Sequence, residues 1–524
     1  MGAEPIHRGI VTCRNGVVAS SHPLASAAGL QVLMEGGNFM DAAIATSAVL
    51  PVVEPAASHL GGDGFMLVYT AKDGKVTALN GSGAAPREAT AERFPEGIPL
   101  RGLRAASVPG LVDLWCEALA RFGTKPLAEL LRFALRYAEE GFPVNQRLAE
   151  TLRAGLEPVR DEYSRQVLAP QGRPPRWGEI WRQPDLAWSL QQLARSGRDA
   201  FYRGPIAERI LAAMEAQGGL MRAKDLEEHH TEVTEPLVGE YRGHIVYEQP
   251  PPSQGFLLLE ELHILEGFDL AALGFGSPEA IHLMVEAKKL AFADKECYNT
   301  DPRFAAIPMR GLLSKEYAAQ RRREIDLHRA RLPEAGNPFP FQSTTYFCVA
   351  DREGNAVSFI QSVFHSFGCG VFIPGTGILF NNRMNGFSLN PYHVNFLRPG
   401  KRTNHTLNTY MVFREGKPLY VGGTPGGDVQ VQTNLQILTN LLDFGMNVQE
   451  AIEAPRWQSG PGLEVVLEAR FPRRTLEGLR QRGHQVSLVA PYGGSGHVQL
   501  IQFHASGAYL AGSDPRCDGC AMGF

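Results

Sequence analysis

The sequence predicts an α/β protein, because a long stretch with helical periodicity is followed by a stretch rich in strands. Between about residues 110 and 290, apolar side chains return every three or four positions, as at Leu111 and Leu114. In the last third of the chain, short runs typical of strands, separated by polar turns, replace this helical spacing. Two predicted strands there, 345–350 and 356–364, flank a polar turn and form a hairpin.

The residues before position 110 predict strands and helices in alternation. In chain order they are a strand at 9–19, a helix at 23–34 that ends at a glycine pair, a helix at 41–50, and a hairpin of strands 65–70 and 76–79. Asp41 is the expected cap of the second helix, because an aspartate side chain accepts hydrogen bonds from the first free backbone N–H groups.

A glycine pair precedes a predicted helix in the C-terminal part. Strands 410–413 and 419–421 form a hairpin, and an apolar-periodic helix follows at 429–442 with Asp428 available as its cap. The amides of Gly426 and Gly427 then point out of a helix N-terminus, a geometry suited to holding an oxyanion. The alternative is an ordinary glycine-rich turn between a strand and a helix.

Thr344 opens a predicted strand directly after a proline-rich loop at 332–341. A threonine in this position suits a chemistry in which it becomes a new N-terminus. Its hydroxyl is then the nucleophile, and its freed α-amino group, with a pKa near neutrality, is the base. The alternative is a threonine-rich hairpin without a chemical role, and this stretch alone does not decide between the two.

Composition argues against several classes of partner and cofactor. A net charge of −4 gives no general attraction to nucleic acid or to an anionic membrane, and no run approaches the roughly 18 apolar residues needed to span a bilayer. The first residues lack the apolar core of a signal peptide, so we expect a cytoplasmic protein. Neither 228–230 nor the Cys517–Cys520 pair has the spacing of a metal site, and we expect no metal and no disulfide framework among the seven cysteines.

Ten short motifs occur in one order along nearly the whole chain. They are HPLASAAG (22–29), EGGNFMDAA (35–43), EP (54–55), LGGDGFM (60–66), VPG (108–110), PPSQG (251–255), TT (344–345), GILFNN (377–382), GTPGG (423–427) and SDPR (513–516). In these motifs the sequence resembles the γ-glutamyltransferase family of N-terminal-nucleophile hydrolases. The resemblance implies a sandwich of two mainly antiparallel sheets between helical layers, the αββα arrangement.

The resemblance also implies a self-processing enzyme that is made as a zymogen. The backbone is cut between Ser343 and Thr344, which leaves a large subunit, 1–343, intimately packed with a small one, 344–524. Thr344 is the nucleophile, and Ser362 falls where the family has a second hydroxyl bonded to it. Gly426 and Gly427 correspond to the oxyanion hole, and no metal or organic cofactor is needed. Whether processed heterodimers pair into a dimer stays open.

Substrate recognition departs from the family pattern. The positions that we expect to face the substrate are Ser82, Phe364, Arg383, His405 and Thr406. In the resemblance, Ser82 stands where the family has an arginine, Phe364 where it has an asparagine, Gly386 where it has an acid, and His405-Thr406 where it has two serines. Four polar anchors of the γ-glutamyl group are changed, so efficient glutathione turnover is doubtful. Arg383, Arg402, His365 and His405 lie in or near these motifs and are candidates for binding another anion, with a structural ion pair or a core histidine as the alternatives.

The altered positions resemble the branch that includes oxamate amidohydrolases and cephalosporin-type acylases. We therefore expect an amidohydrolase or acyltransferase that acts on a small carboxylate-bearing amide, oxamate-like or an acylamide, through an acyl-enzyme. The alternatives are a true γ-glutamyltransferase or glutathione hydrolase, and an unprocessed, non-catalytic binding scaffold. The sequence leaves the choice between hydrolysis and transfer open.

Overall fold

Two seven-stranded antiparallel sheets lie at the centre of the molecule. The computed structural model describes residues 6–159, 161–332 and 343–524. One sheet, here called the Thr344 sheet, contains in spatial order Cys520–Gly523, Gly16–Ser20, Ser343–Asp351, Ala356–Phe364, Asp63–Thr70, Lys75–Asn80 and Glu232–Thr234. The opposite sheet contains Val11–Cys13, Tyr509–Ser513, Gln499–Phe503, Lys417–Gly423, Tyr410–Arg414, His244–Glu248 and Leu237–Tyr241.

A layer of helices covers the outer face of each sheet. The helices on the Thr344 sheet are Pro23–Met34, Phe39–Val53, Leu111–Phe122, Arg132–Glu139, Pro184–Tyr202 and Pro205–Ala216. Those on the opposite sheet are Gly255–Leu265, Pro278–Tyr298, Lys315–Arg322, Val429–Leu442 and Val448–Glu453.

Shorter elements connect these layers. The remaining helices are Leu127–Leu130, Gln146–Gly155, Glu162–Leu168, Ala223–Glu227, Leu270–Leu273, Met309–Leu312 and Arg473–Gln481, with 3₁₀ turns at Ala91–Arg93, Leu103–Ala105 and Arg383–Gly386. Small sheets pair Phe142–Pro143 with Ile180–Trp181, Phe372–Ile373 with Ile378–Leu379, and Trp457–Ser459 with Glu464–Glu468 and Gln485–Val489.

The strand Ser343–Asp351 shows how one sequence contributes to two cores. Tyr346 and Cys348 point between the two sheets, whereas Phe347 and Val349 point into the helices on the outer face. Successive side chains of a strand face opposite sides, so a strand with both faces covered is apolar on both. The expected α/β fold with an αββα sandwich is therefore confirmed.

Most predicted elements are present, but three details of the prediction are wrong. Asn38, not Asp41, caps the helix Phe39–Val53, and the Asp41 carboxylate accepts the Asn38 N–H at 2.9 Å to complete a capping box. Asp428 precedes Val429–Leu442 as expected, yet its carboxylate binds Lys295 instead of the helix N–H groups. The stretch predicted as wholly helical contains three strands between residues 232 and 248, where apolar spacing changes to alternation.

Candidate active site

Thr344 lies at a β-bulge near the start of its strand. Ser343 pairs with Phe364 and Thr345 pairs with Gln361, so Thr344 lies opposite two residues, Ser362 and Val363, and the extra residue is on the partner strand. A bulge of this kind turns a side chain out of the regular alternation. The buried Thr344 hydroxyl donates to the Ser362 hydroxyl at 3.3 Å, and the structure thus brings together two of the predicted catalytic residues.

The Ser362 oxygen also fixes the backbone that follows it. Its Oγ accepts the Phe364 N–H at 2.8 Å. Phe364 has a φ of 80°, a left-handed conformation that costs a side chain with a Cβ about 1–2 kcal/mol and that asparagine adopts more readily. The Phe364 ring is buried under the Arg383 guanidinium, 4.6 Å from its centre. The ring therefore fills space at a position where we expected contact with substrate.

A buried hydroxyl cluster supports the strand next to Thr344. Thr345 and Ser21 each lie within hydrogen-bond distance of the Glu54 carboxyl group, at 3.0 and 2.6 Å, and their hydroxyls are 2.6 Å apart. Burial raises the pKa of the Glu54 carboxyl. Glu54 belongs to one of the sequence motifs, but nothing in the sequence indicated that it meets Ser21 and Thr345.

A cavity of about 190 Å³ opens beside Thr344. Its walls include Glu54 and Thr345, together with Arg147, His497 and Asp518. The last three belong to none of the predicted sites, and no periodicity or motif distinguishes them. Only the fold brings the helix Gln146–Gly155 and the C-terminal loop to Thr344.

Gly426 and Gly427 have the conformation expected of an amide-presenting turn. Their φ angles are 134° and 60°, which residues with a Cβ rarely adopt. Their carbonyl groups accept the N–H groups of Val429 and Gln430 at 3.1 Å, which directs the chain into the helix Val429–Leu442. Within the described residues, neither glycine N–H donates a hydrogen bond.

The Gly426-Gly427 turn lies next to a loop that lines the cavity. A Cβ added at Gly426 would be 4.0 Å from the backbone nitrogen of Gly496, and the next residue, His497, lines the cavity beside Thr344. Two N–H groups at a helix N-terminus carry a positive partial charge, which stabilises an oxygen that becomes negative during a reaction.

Arg383 is engaged in a buried ion pair. Its Nε and Nη2 donate to the two carboxylate oxygens of Asp63 at 2.9 and 3.0 Å, and both side chains are fully buried. His405 lies next to them, with its Nε2 3.8 Å from Asp63, and burial lowers its pKa well below the usual value, so the ring is neutral. Of the alternatives for Arg383, the structural ion pair is therefore the one observed.

Ser82 and Thr406 lie outside the Thr344 cavity. The Ser82 carbonyl accepts from Arg402 Nε at 2.8 Å, and its hydroxyl donates to Asn80 at 2.6 Å. The Thr406 carbonyl accepts from Gln254, which also donates to the Gly427 carbonyl. None of the five residues predicted to face the substrate lines the cavity beside Thr344, as far as the described chain shows.

Comparison with known proteins gives the family. The model of the family described as Gamma-glutamyltranspeptidase matches residues 25–524. The chain belongs to this family. The family resemblance found in the sequence motifs is thus confirmed, and the protein is an enzyme of the amidohydrolase and acyltransferase class.

Several members of the gamma-glutamyltranspeptidase family are similar over nearly their full length. The "Glutathione hydrolase-like YwrD proenzyme" of Bacillus subtilis is 41% identical over 520 residues, covering 97% of this chain and 98% of the relative. The "Oxamate amidohydrolase proenzyme" of Klebsiella pneumoniae is 38% identical, covering 97% and 98%. A crystal structure of cephalosporin acylase from Bacillus halodurans superposes with a TM-score of 0.94 at 40% identity, covering 100% and 98%.

One group of side chains has the composition of a metal site. His282, Glu286 and His484 are buried together. His282 Nε2 donates to the Asp326 carbonyl at 2.8 Å, so its Nδ1 accepts from His484 Nε2, also at 2.8 Å. The Glu286 carboxylate accepts from Lys289 at 2.7 Å. A cation here would have to displace the His282–His484 and Glu286–Lys289 contacts, whereas the buried His484 Nδ1 has no hydrogen-bond partner among the described residues, and the absence of a metal stays a prediction.

Two further sequence expectations concern cysteines and membranes. Cys517 and Cys520 are both free thiols, and burial raises the pKa of Cys517 to about 12, which makes it a poor thiolate ligand. None of the helices in the described part of the chain combines the length and apolar character needed to cross a bilayer.

Proposed function

We propose that the chain cuts its own backbone between Ser343 and Thr344, and that the freed Thr344 then hydrolyses the amide of a small carboxylate-bearing molecule. The observation that carries the proposal is the contact between the Thr344 and Ser362 hydroxyls, at the bulge where their two strands pair. The proposed products of the cut are a large subunit of residues 1–343 and a small one of residues 344–524.

In the first reaction, Thr344 Oγ attacks the carbonyl carbon of Ser343. The peptide C–N bond breaks as the C–O bond forms, and the proton of the hydroxyl goes to the Thr344 nitrogen. Water then hydrolyses the resulting ester, which leaves a carboxylate on Ser343 and a free α-amino group on Thr344. Ser362 Oγ accepts the Thr344 O–H hydrogen bond and so orients the hydroxyl for attack.

In the second reaction, the α-amino group of Thr344 removes the proton from its own Oγ, which attacks the substrate amide. The carbonyl oxygen becomes negative, and the N–H groups of Gly426 and Gly427 are suited to stabilise it because they have no acceptor among the described residues. The leaving amine takes the proton, and water resolves the acyl-enzyme. An amine in place of water would give acyl transfer by the same steps.

The recognition positions argue against a γ-glutamyl substrate. An arginine that binds a buried carboxylate contributes about 1.5–3 kcal/mol, and Ser82 in its place has a hydroxyl already bonded to Asn80. Arg383 is committed to Asp63. Relatives named for oxamate and for cephalosporin support a smaller or different acyl group, and the relative named glutathione hydrolase-like keeps the γ-glutamyl alternative open.

Intact mass under denaturing conditions tests the proposed cut. From a total of 57.3 kDa, division at 343 and 181 residues gives fragments of about 37 and 20 kDa, and N-terminal sequencing of the smaller must begin at Thr344. The matched control is Thr344→Ala, which has no nucleophile and must remain one chain. A wild-type chain that stays at full mass after long incubation would remove the proposal and leave the binding scaffold as the better account.

The rival enzyme is a true γ-glutamyltransferase or glutathione hydrolase with other anchors. A γ-glutamyl anilide separates the two, because the altered anchors predict slow turnover of this substrate by the cleaved enzyme. Turnover of the γ-glutamyl anilide as fast as that of small carboxylate-bearing amides would refute the substrate class and leave the self-cleavage untouched.

A further inference from the structure

The cavity beside Thr344 has one permanent cation in its wall. Of the basic residues that line it within the described chain, His22 and His497 are neutral at pH 7, because burial lowers the pKa of each to about 4. The third is Arg147, which carries a guanidinium cation.

Arg147 makes one short hydrogen bond, and its other two polar contacts are long. Its Nη2 donates to the Arg516 carbonyl at 2.5 Å, which fixes the guanidinium against the C-terminal loop. Its Nη1 lies 3.4 Å from His497 Nε2, a long contact, and its Nε lies 3.6 Å from the Asp518 carboxylate. The side chain is half exposed, and one edge of the planar group is therefore available to a ligand in the cavity.

Asp518 shows that a carboxylate fits in this place. Its Oδ2 accepts from the Asn145 amide at 3.3 Å and faces Arg147 across 3.6 Å, and all three residues line the cavity. Because its side chain is 41% exposed, Asp518 can turn towards solvent when another anion arrives. The contact of this aspartate with Arg147 and Asn145 is a stand-in for the carboxylate of a bound molecule.

The other arginines at the recognition positions are not available. Arg383 is paired with Asp63 in the interior, and Arg402 is paired with Glu232 and donates to two backbone carbonyls. A substrate anion bound to either would have to break a buried ion pair, whereas an anion at Arg147 displaces only a long, exposed contact.

We infer that Arg147, assisted by the Asn145 amide, binds the carboxylate of the substrate and selects amides that carry a negative charge on the acyl side. The inference rests on the proposed function, since it places the acyl group in the cavity beside Thr344. Asp518 competes for the same guanidinium and weakens the binding of the anion. Arg147 is thus an inferred substrate-binding position that the family motifs do not include.

Two chromogenic anilides test the inference on the self-cleaved enzyme. Glutaryl 4-nitroanilide carries a carboxylate at the end of its acyl chain, and pentanoyl 4-nitroanilide has a chain of the same length without charge. Arg147→Gln is expected to lower kcat/KM for the glutaryl probe about 10- to 100-fold and to leave the pentanoyl probe within about twofold. Arg147→Lys keeps the charge and recovers part of the loss.

Two further variants complete the design. Arg153→Gln is the matched control, because Arg153 lies on the same helix, is exposed and does not line the cavity. It is expected to change neither probe. Asp518→Asn removes the competing charge, and it is expected to lower KM for the glutaryl probe only. Intact mass verifies that every variant is cleaved at Thr344 before the kinetics are compared.

The outcomes separate the inference from the proposed function. An uncleaved wild-type chain contradicts the proposed function itself. A cleaved wild-type enzyme that fails to prefer the glutaryl probe, or an Arg147→Gln enzyme that loses both probes equally, refutes the role of Arg147 alone. Selective loss of the glutaryl probe, together with the opposite shift in Asp518→Asn, supports it.

Discussion

The buried pair of Arg383 and Asp63 gives a prediction whose size follows from the structure. Asp63→Asn keeps the shape of the side chain but removes the charge, and its amide N–H₂ group then faces a donor of the guanidinium. Because both side chains are fully buried, Arg383 is left as an uncompensated cation. Breaking a buried ion pair in this way costs about 3–5 kcal/mol.

The expected shift in melting temperature follows from the length of the chain. Unfolding entropies of roughly 2.1 cal/mol/K per residue give about 1.1 kcal/mol/K for 524 residues, so the loss corresponds to about 3–5 °C. The measurement is thermal unfolding at one fixed scan rate, on samples whose cleavage state has been matched by mass. The control is Glu117→Gln, which breaks an exposed pair with Arg121 and is expected to shift the melting temperature by less than about 1 °C.

A double variant tests whether the two charges act as a pair. Asp63→Leu with Arg383→Met replaces both by apolar side chains, and it is expected to recover most of the stability lost by Asp63→Asn. If Asp63→Asn melts within 1 °C of the wild type, the pair does not stabilise the fold. The same conclusion follows if the double variant loses as much stability as Asp63→Leu and Arg383→Met lose in sum when each is made alone. Arg383 would then return as a candidate for binding the substrate carboxylate.

Two further predictions concern the nucleophile and the dependence of stability on pH. Ser362→Ala removes the acceptor of the Thr344 hydroxyl and leaves the Phe364 N–H unsatisfied. We therefore expect self-cleavage, followed by mass over time, to slow by about 2- to 10-fold. An unchanged rate would contradict the positioning role of Ser362. Burial, and then the charge of Lys289, lower the pKa of His484 to about 3, so the unfolded chain binds a proton that the folded one does not, and stability falls as pH drops below about 6.5. His484→Gln is expected to make the fall in melting temperature between pH 7 and pH 5 shallower, and an equally steep fall would show that His484 does not contribute.

Local sequence predicts the elements of this fold better than it predicts their contacts. The helices Pro23–Met34 and Val429–Leu442 have the predicted bounds, because periodicity and the glycines at their ends are local signals. The caps were assigned less well: Asp41 and Asn38 both have side chains that can cap, and only the geometry of the turn decides between them. The sequence allows an ion pair at Arg383, but the partner Asp63 is 320 positions away and no local pattern connects the two residues.

The residues of the candidate site also differ in whether the sequence alone could indicate them. Thr344 and the glycine pair could be proposed from the sequence because their chemistry depends on position along the backbone: a new α-amino group and two N–H groups at a helix start. Ser362 could be proposed only through the family resemblance. Arg147 could not be proposed, since it lies in an unremarkable amphipathic helix, Gln146–Gly155, whose relation to Thr344 is set by the tertiary fold.

In this fold, the proposed chemistry and the recognition of the substrate depend on different groups. The groups proposed to do the chemistry are backbone N–H groups and one hydroxyl on a buried strand, and substitutions in the surrounding side chains leave them in place. Recognition depends on side chains alone. In this chain the arginine at position 383 is neutralised by Asp63, while Arg147 stands at the wall of the Thr344 cavity with only a long, exposed ion pair. Under the proposed function, Arg147 at the cavity wall selects which acyl group is held beside Thr344 without altering how it is cleaved, and the two probes that differ only in one carboxylate measure this selection directly.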